Sequence, residues 1–105
     1  MAALDLLAKT LQDEPNSTGY IFIYGAMRGY RNDVARRTEC MKNYMLQRRG
    51  IPDDRLRVVN GGYREYTVIE LWFVPHGSLA PGPRPMIRRK NVRFKRGGTK
   101  YTCNV

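Results

Sequence analysis

The chain has one histidine, His76, and only two cysteines, Cys40 and Cys103. That scarcity removes several chemistries. Two thiols and one imidazole are too few for a structural zinc site. No nucleophile–base pair is visible either, because His76 lies next to Pro75 in a stretch with linker composition. The cysteines allow one disulfide or none, since pairing requires Cα atoms within about 7 Å and the sequence does not give that distance. No segment approaches the ~20 apolar residues of a transmembrane helix. A phosphate-binding glycine loop and internal repeats are also missing. These absences point away from an enzyme, and no cofactor or metal is expected.

Acidic residues are scarce in one region only. Residues 1–75 hold eleven Lys/Arg against nine Asp/Glu, whereas residues 76–105 hold eight Lys/Arg and no acid. The formal charge of +10 therefore belongs mainly to a polycationic tail on a nearly neutral body. Such a tail favours anionic surfaces, whether nucleic acid, acidic lipid or wall polymer. The tail itself argues mildly against nucleic acid, because it offers only Phe94 and Tyr101 for base stacking and contains no recognised nucleic-acid module.

What remains is enough for one domain with a modest core: 105 residues, 42% of them hydrophobic. Leu4, Leu7, Ala8 and Leu11 recur at helical spacing and predict an amphipathic helix over Ala2 to Gln12. Tyr20 to Tyr24 (YIFIY) is apolar without alternation, which predicts a central strand buried on both faces. Gly25 ends it, and a loop carrying Arg28, Tyr30 and Arg31 follows. Asn32 or Asp33 is expected to cap a second helix running to about Arg49, with Val34, Thr38, Met41 and Met45 inward. Gly50 and Pro52 mark its end.

Leu56 to Val59 predicts a short strand broken at Gly61-Gly62. Tyr66 to Val74 predicts a longer one, with Ile69, Leu71 and Phe73 on one face and Val68, Trp72 and Val74 on the other. Glu70 interrupts the second face, which is therefore expected to be only partly buried. The two strands are expected to be antiparallel neighbours joined through the glycines. The order α–β–α–β–β implies an α/β (α+β) two-layer sandwich, with both helices on one face of a mixed sheet. The body spans residues 1–75. Residues 76–90 form a Pro/Gly-rich basic linker, and residues 91–105 a basic tail that adds an edge strand or a hairpin or stays disordered.

The segments LDLLAKTLQDEP, YIFIYG, ARRTECMKNYM and above all GIPDDRL, in this order and spacing, resemble the C-terminal domain family of outer membrane protein A. This is the peptidoglycan-associating fold shared with flagellar motor stator proteins. The resemblance covers Leu4 to about Val74. It implies a cell-envelope module in which an Asp and an Arg clamp the zwitterionic end of the peptidoglycan stem, since an ammonium needs a carboxylate and a carboxylate needs a guanidinium. Arg37 matches the clamp arginine. Arg28 falls where the Asp should be, which inverts the charge facing the ammonium. The candidate ligand-binding residues are therefore Arg28, Arg31, Arg36 and Arg37, read as an anion site near the second helix N-terminus. The family domain also starts with a strand that this chain lacks, and NVRFKRG in the tail is a candidate for that edge slot. The resulting expectation is a non-enzymatic periplasmic domain that associates with peptidoglycan or another anionic envelope polymer, with its signal sequence outside these residues. The alternative is nucleic-acid binding through the basic tail.

Overall fold

A computed structural model describes residues 2–103 of the chain. Five main elements follow in order: α1 (Ala2–Asp13), β1 (Thr18–Ala26), α2 (Asp33–Asn43), β2 (Leu56–Arg64) and β3 (Val68–Val74). They form a mixed sheet in the order β2-β1-β3, with β1 parallel to β2 and antiparallel to β3. Both helices pack on one face, as the α+β sandwich requires. Leu4, Leu7 and Leu11 of α1, Met41 of α2 and Met45 just beyond it meet Ile21, Ile23 and Leu56 of the sheet. Ile69, Leu71 and Phe73 point toward this core, as the alternation along β3 predicts.

The expected pairing of β2 with β3 does not occur. Both instead flank β1, and the short link between them crosses the end of β1, where the Met27 amide donates to the Arg64 carbonyl at 2.9 Å. The reason is burial. Ile21, Phe22, Ile23 and Tyr24 are at most 2% exposed, and a run that apolar is stable only in the centre of the sheet, paired on both edges. β2 also continues through Gly61-Gly62 rather than stopping there. The register against β1 shifts between Ile23 and Tyr24, and Gly61 lies against the Tyr24 ring, where any side chain would collide with it.

The second helix also departs from expectation at both ends. Asn32 makes no side-chain cap; its Oδ1 accepts from the Thr99 amide instead (2.9 Å). At the far end the helix widens into a π turn, Tyr44–Arg48. It then closes with Gly50 at φ +68°, and the Ile51 amide donates back to the Met45 carbonyl at 3.0 Å. That is the glycine-terminated closure the sequence predicts. The Tyr44 hydroxyl donates to Asp5 on α1, tying the two helices together. This bond holds the Asp5 carboxyl below its usual range and raises the Tyr44 phenol.

On the face of the sheet away from the helices, the linker is fastened over Tyr24, Arg64 and Tyr63, and Trp72 stays partly exposed. The Arg84 amide donates to the Tyr24 hydroxyl at 3.0 Å, and Arg64 Nε donates to the Arg84 carbonyl at 3.1 Å. The amides of Met86 and Ile87 both donate to the Tyr63 carbonyl. Placing a methyl group at Gly61 tests this packing. Gly61→Ala should destabilise the domain by about 1–3 kcal/mol, the usual cost of overpacking, in chemical denaturation. An unchanged midpoint would show that Tyr24 can move aside.

Candidate functional site

The tail returns to the start of α2 and is fastened there. Arg93 and Lys95 donate their amides to the carbonyls of Met27 and Gly29, both at 2.8 Å. Tyr30 and Lys95 form a single parallel bridge. The Thr99 hydroxyl donates to Asp33, and Cys103 is disulfide-bonded to Cys40 of α2, with Cα atoms 5.3 Å apart. Residues 91–96 thus run along the β1–α2 loop and do not fill the edge slot beside β3. The physical reason is the anchoring: the disulfide and Thr99 hold the tail at α2 and the loop that precedes it. Asn104 and Val105 lie outside the described residues.

The four candidate arginines do not converge on one anion. Arg37 Nε donates to Asp33 Oδ2 at 2.7 Å, and its guanidinium lies 4.2 Å from the Tyr101 ring centroid. Asp33 therefore supplies a carboxylate to Arg37 from one helical turn earlier. The Asp-x-x-x-Arg spacing is a sequence signal that reveals this pair. Arg36 pairs with Glu39 across 3.4 Å on the helix surface. Arg31 stacks on Phe94, 4.5 Å from the ring centroid. Arg28 is exposed and lines a depression of about 480 Å³ together with Tyr66, Thr67, Glu65 and Lys95.

Arg31 and Arg28 belong to a wider face that sequence reasoning missed, because its members are far apart in the chain. Arg89 approaches the rings of both Phe94 (5.0 Å) and Tyr63 (5.9 Å). Lys95 and Lys100 approach Tyr30 at 5.6 and 6.0 Å. Each ring attracts its cation through the electron-rich face and limits its freedom. The outcome is four cations, Arg31, Arg89, Lys95 and Lys100, held on aromatic rings, with Arg28 beside Lys95 at the depression. A surface of this kind binds anions by charge and by guanidinium–carboxylate or guanidinium–phosphate hydrogen bonds. Among the described residues, no group of His, Cys, Asp or Glu could hold a metal, and no helix is long and apolar enough to cross a membrane.

Glu70 is the acid that interrupts β3. It accepts from Arg64 Nη2 (2.9 Å), the Tyr24 hydroxyl (3.2 Å) and Trp72 Nε1 (3.3 Å). The Arg64 guanidinium lies 3.8 Å from the Tyr24 ring centroid. Burial alone would raise the carboxyl, but the three donors and the Arg64 charge outweigh it and hold Glu70 below its usual value of 4.5. Tyr24 and Arg64 in turn bind the Arg84 backbone, so Glu70 is a structural ion that helps keep the linker in place. No protein-family model, curated protein or solved structure matches this chain.

The pH dependence follows from the direction of the Glu70 shift. A carboxyl depressed in the folded state stabilises fully above its unfolded value, and that stability is lost as pH falls through the folded value. Glu70→Gln should cost about 1–3 kcal/mol at pH 7, the usual loss on breaking a partly buried charged hydrogen-bond set. The gap to the native protein should shrink as pH drops from 5 to 3. Urea unfolding across that range measures it, and a gap independent of pH would refute the assignment.

Proposed function

We propose that this protein is a non-enzymatic module of the cell envelope that holds an anionic wall polymer, peptidoglycan being the first candidate, on its basic face. One observation carries the reading: the Cys40–Cys103 disulfide fastens the cationic tail beside the β1–α2 loop. It makes one ordered surface of charges that would otherwise be dispersed. A structural disulfide also suits an oxidising compartment such as the periplasm. The resemblance to the outer membrane protein A C-terminal family adds support, through the α–β–α–β–β order and both helices on one face of a mixed sheet.

The contact residues differ from those of the family clamp. Arg37 is engaged by Asp33 and Tyr101, so its role is to hold the tail. Arg28 and Lys95 flank the depression beside Tyr66, which lies in the β2–β3 turn and is 72% exposed. A sugar ring can lie on Tyr66 while its carboxylate, or that of a stem peptide, meets Arg28 and Lys95. Glu65 and Thr67 supply acceptors for hydroxyl or ammonium groups.

Co-sedimentation with purified peptidoglycan sacculi tests this. Binding should weaken as salt rises from ~50 to ~300 mM, because exposed charges are screened over about a Debye length. The double variant Arg28→Ala/Lys95→Ala should lose roughly tenfold in affinity, the loss expected for two exposed charge contacts of about 0.7 kcal/mol each. Failure to sediment, or equal binding by the double variant, refutes the reading. Tighter binding to single- or double-stranded DNA than to sacculi at the same salt would assign the face to nucleic acid instead.

A further inference from the structure

Strand β3 is an edge of the sheet, paired on one side with β1. Among the described residues, no backbone hydrogen bond outside the sheet reaches its other side. In an antiparallel ladder every second residue of such a strand turns its N–H and C=O outward. Edges left open in this way are normally protected by Lys, Pro, a bulge or extreme shortness. β3 reads VIELWFV over seven residues and has none of these. Its one charge, Glu70, is already neutralised within the chain by Arg64. The opposite edge, β2, contrasts with it: Arg57, Asn60 and the irregularity opposite Tyr24 guard that side.

The helix beside this edge is also unprotected. Leu6 of α1 is 68% exposed. With Ala3, Leu7 and Thr10 it overhangs Leu71 and Phe73, leaving an apolar groove of about 250 Å³. Trp72, on the other face of the same strand, is 43% exposed. Apolar surface is thus present on the strand, above it on the helix and below it on the sheet. A lone strand added at the edge would satisfy the backbone but leave Leu6 uncovered. A partner with both a strand and an overhanging helix covers all three.

The geometry points to a second copy of this chain as that partner, docked β3 against β3 in an antiparallel two-fold pair. Centring the pair on Leu71 sets Leu71 opposite itself, Ile69 opposite Phe73 and Val68 opposite Val74. Glu70 then faces Trp72 of the second copy, an indole donor of the kind it already uses within its own chain at 3.3 Å. The sheet becomes six strands wide and both α1 helices lie on its same face. α1 packs over β1 and β3. With strands ~4.8 Å apart, the two copies of α1 fall about 10 Å from each other, the separation at which helices pack. Leu6 then lies in the seam. The interface is isologous, so it closes after two copies. The tail is fastened to α2 and the β1–α2 loop, not to β3, so its charge does not enter the contact.

Sedimentation equilibrium of the intact, oxidised chain tests the inference, with a monomer–dimer equilibrium expected. Leu6→Glu changes an exposed side chain and should leave the thermal midpoint unchanged at dilutions where the native chain is monomeric, while raising the dimer dissociation constant at least tenfold. Leu71→Cys should crosslink to its own copy on mild oxidation, whereas Glu65→Cys, beyond the strand, should not. A chain that stays monomeric at millimolar concentration overturns the inference. So does a dimer that Leu6→Glu leaves intact, or one in which Leu71→Cys fails to crosslink. Uptake of an apolar strand peptide by a monomer would give the edge to a different partner and overturns it equally.

Discussion

Strand β1 must be covered on both faces, and the chain has helices for only one of them. The rest of the molecule follows from that constraint. α1 and α2 close over Ile21 and Ile23. Phe22 and Tyr24 on the opposite face are also buried, and there an irregular segment, the linker around Arg84, meets the Tyr24 hydroxyl. Irregular backbone brings its own polar groups into a partly buried place, and these need partners. Tyr24, Arg64 and Glu70 provide them. The phenol takes the Arg84 amide, the guanidinium takes the Arg84 carbonyl, and the carboxylate holds phenol and guanidinium together.

Once the linker is held over Tyr24, the route of the tail is set. It emerges beside Tyr63, follows the β1–α2 loop and ends on α2, where Asn32, Asp33 and Cys40 receive it. Ordering a segment of this length costs conformational entropy at every residue. The disulfide and the cation–ring contacts offset part of that cost. The result is a charged face whose cations are held at fixed spacing instead of being spread along a flexible polycation.

The sequence revealed what depends on local period and composition. It located both helices, the buried central strand, the inward faces of α1 and β3, and the glycine that ends the second helix. It missed what depends on competition between distant segments. Gly61-Gly62 reads as a turn signal, yet a strand passes through it because the Tyr24 ring needs the space a side chain would fill. Leu56–Arg64 and Val68–Val74 read as a hairpin, yet β1 takes the place between them. Among the candidate site residues, Arg37 was read as a ligand clamp, whereas its guanidinium is engaged within the chain. Its partners, Asp33 and Tyr101, are one turn away and sixty-four residues away respectively, and only the first could be read from spacing. The cation–aromatic face needs the return of the tail, which composition alone does not indicate.

Arg55 closes the account of the most motif-like stretch, GIPDDRL. Its guanidinium donates to the carbonyls of Leu11, Glu14 and Ser17 and to the Ser17 hydroxyl, so it collects acceptors left over where α1 ends. It joins the exit of the first helix to the entry of β2 and faces away from the basic surface. Likeness concentrated in such a segment reports architecture and not ligand. Two chains can share it and present unrelated surfaces to the world, because this arginine acts on the register of a helix on a sheet. A search for relatives of this chain by ligand should therefore weigh the loop from Met27 to Asn32 and the tail that lies along it above the arginine that fixes the frame.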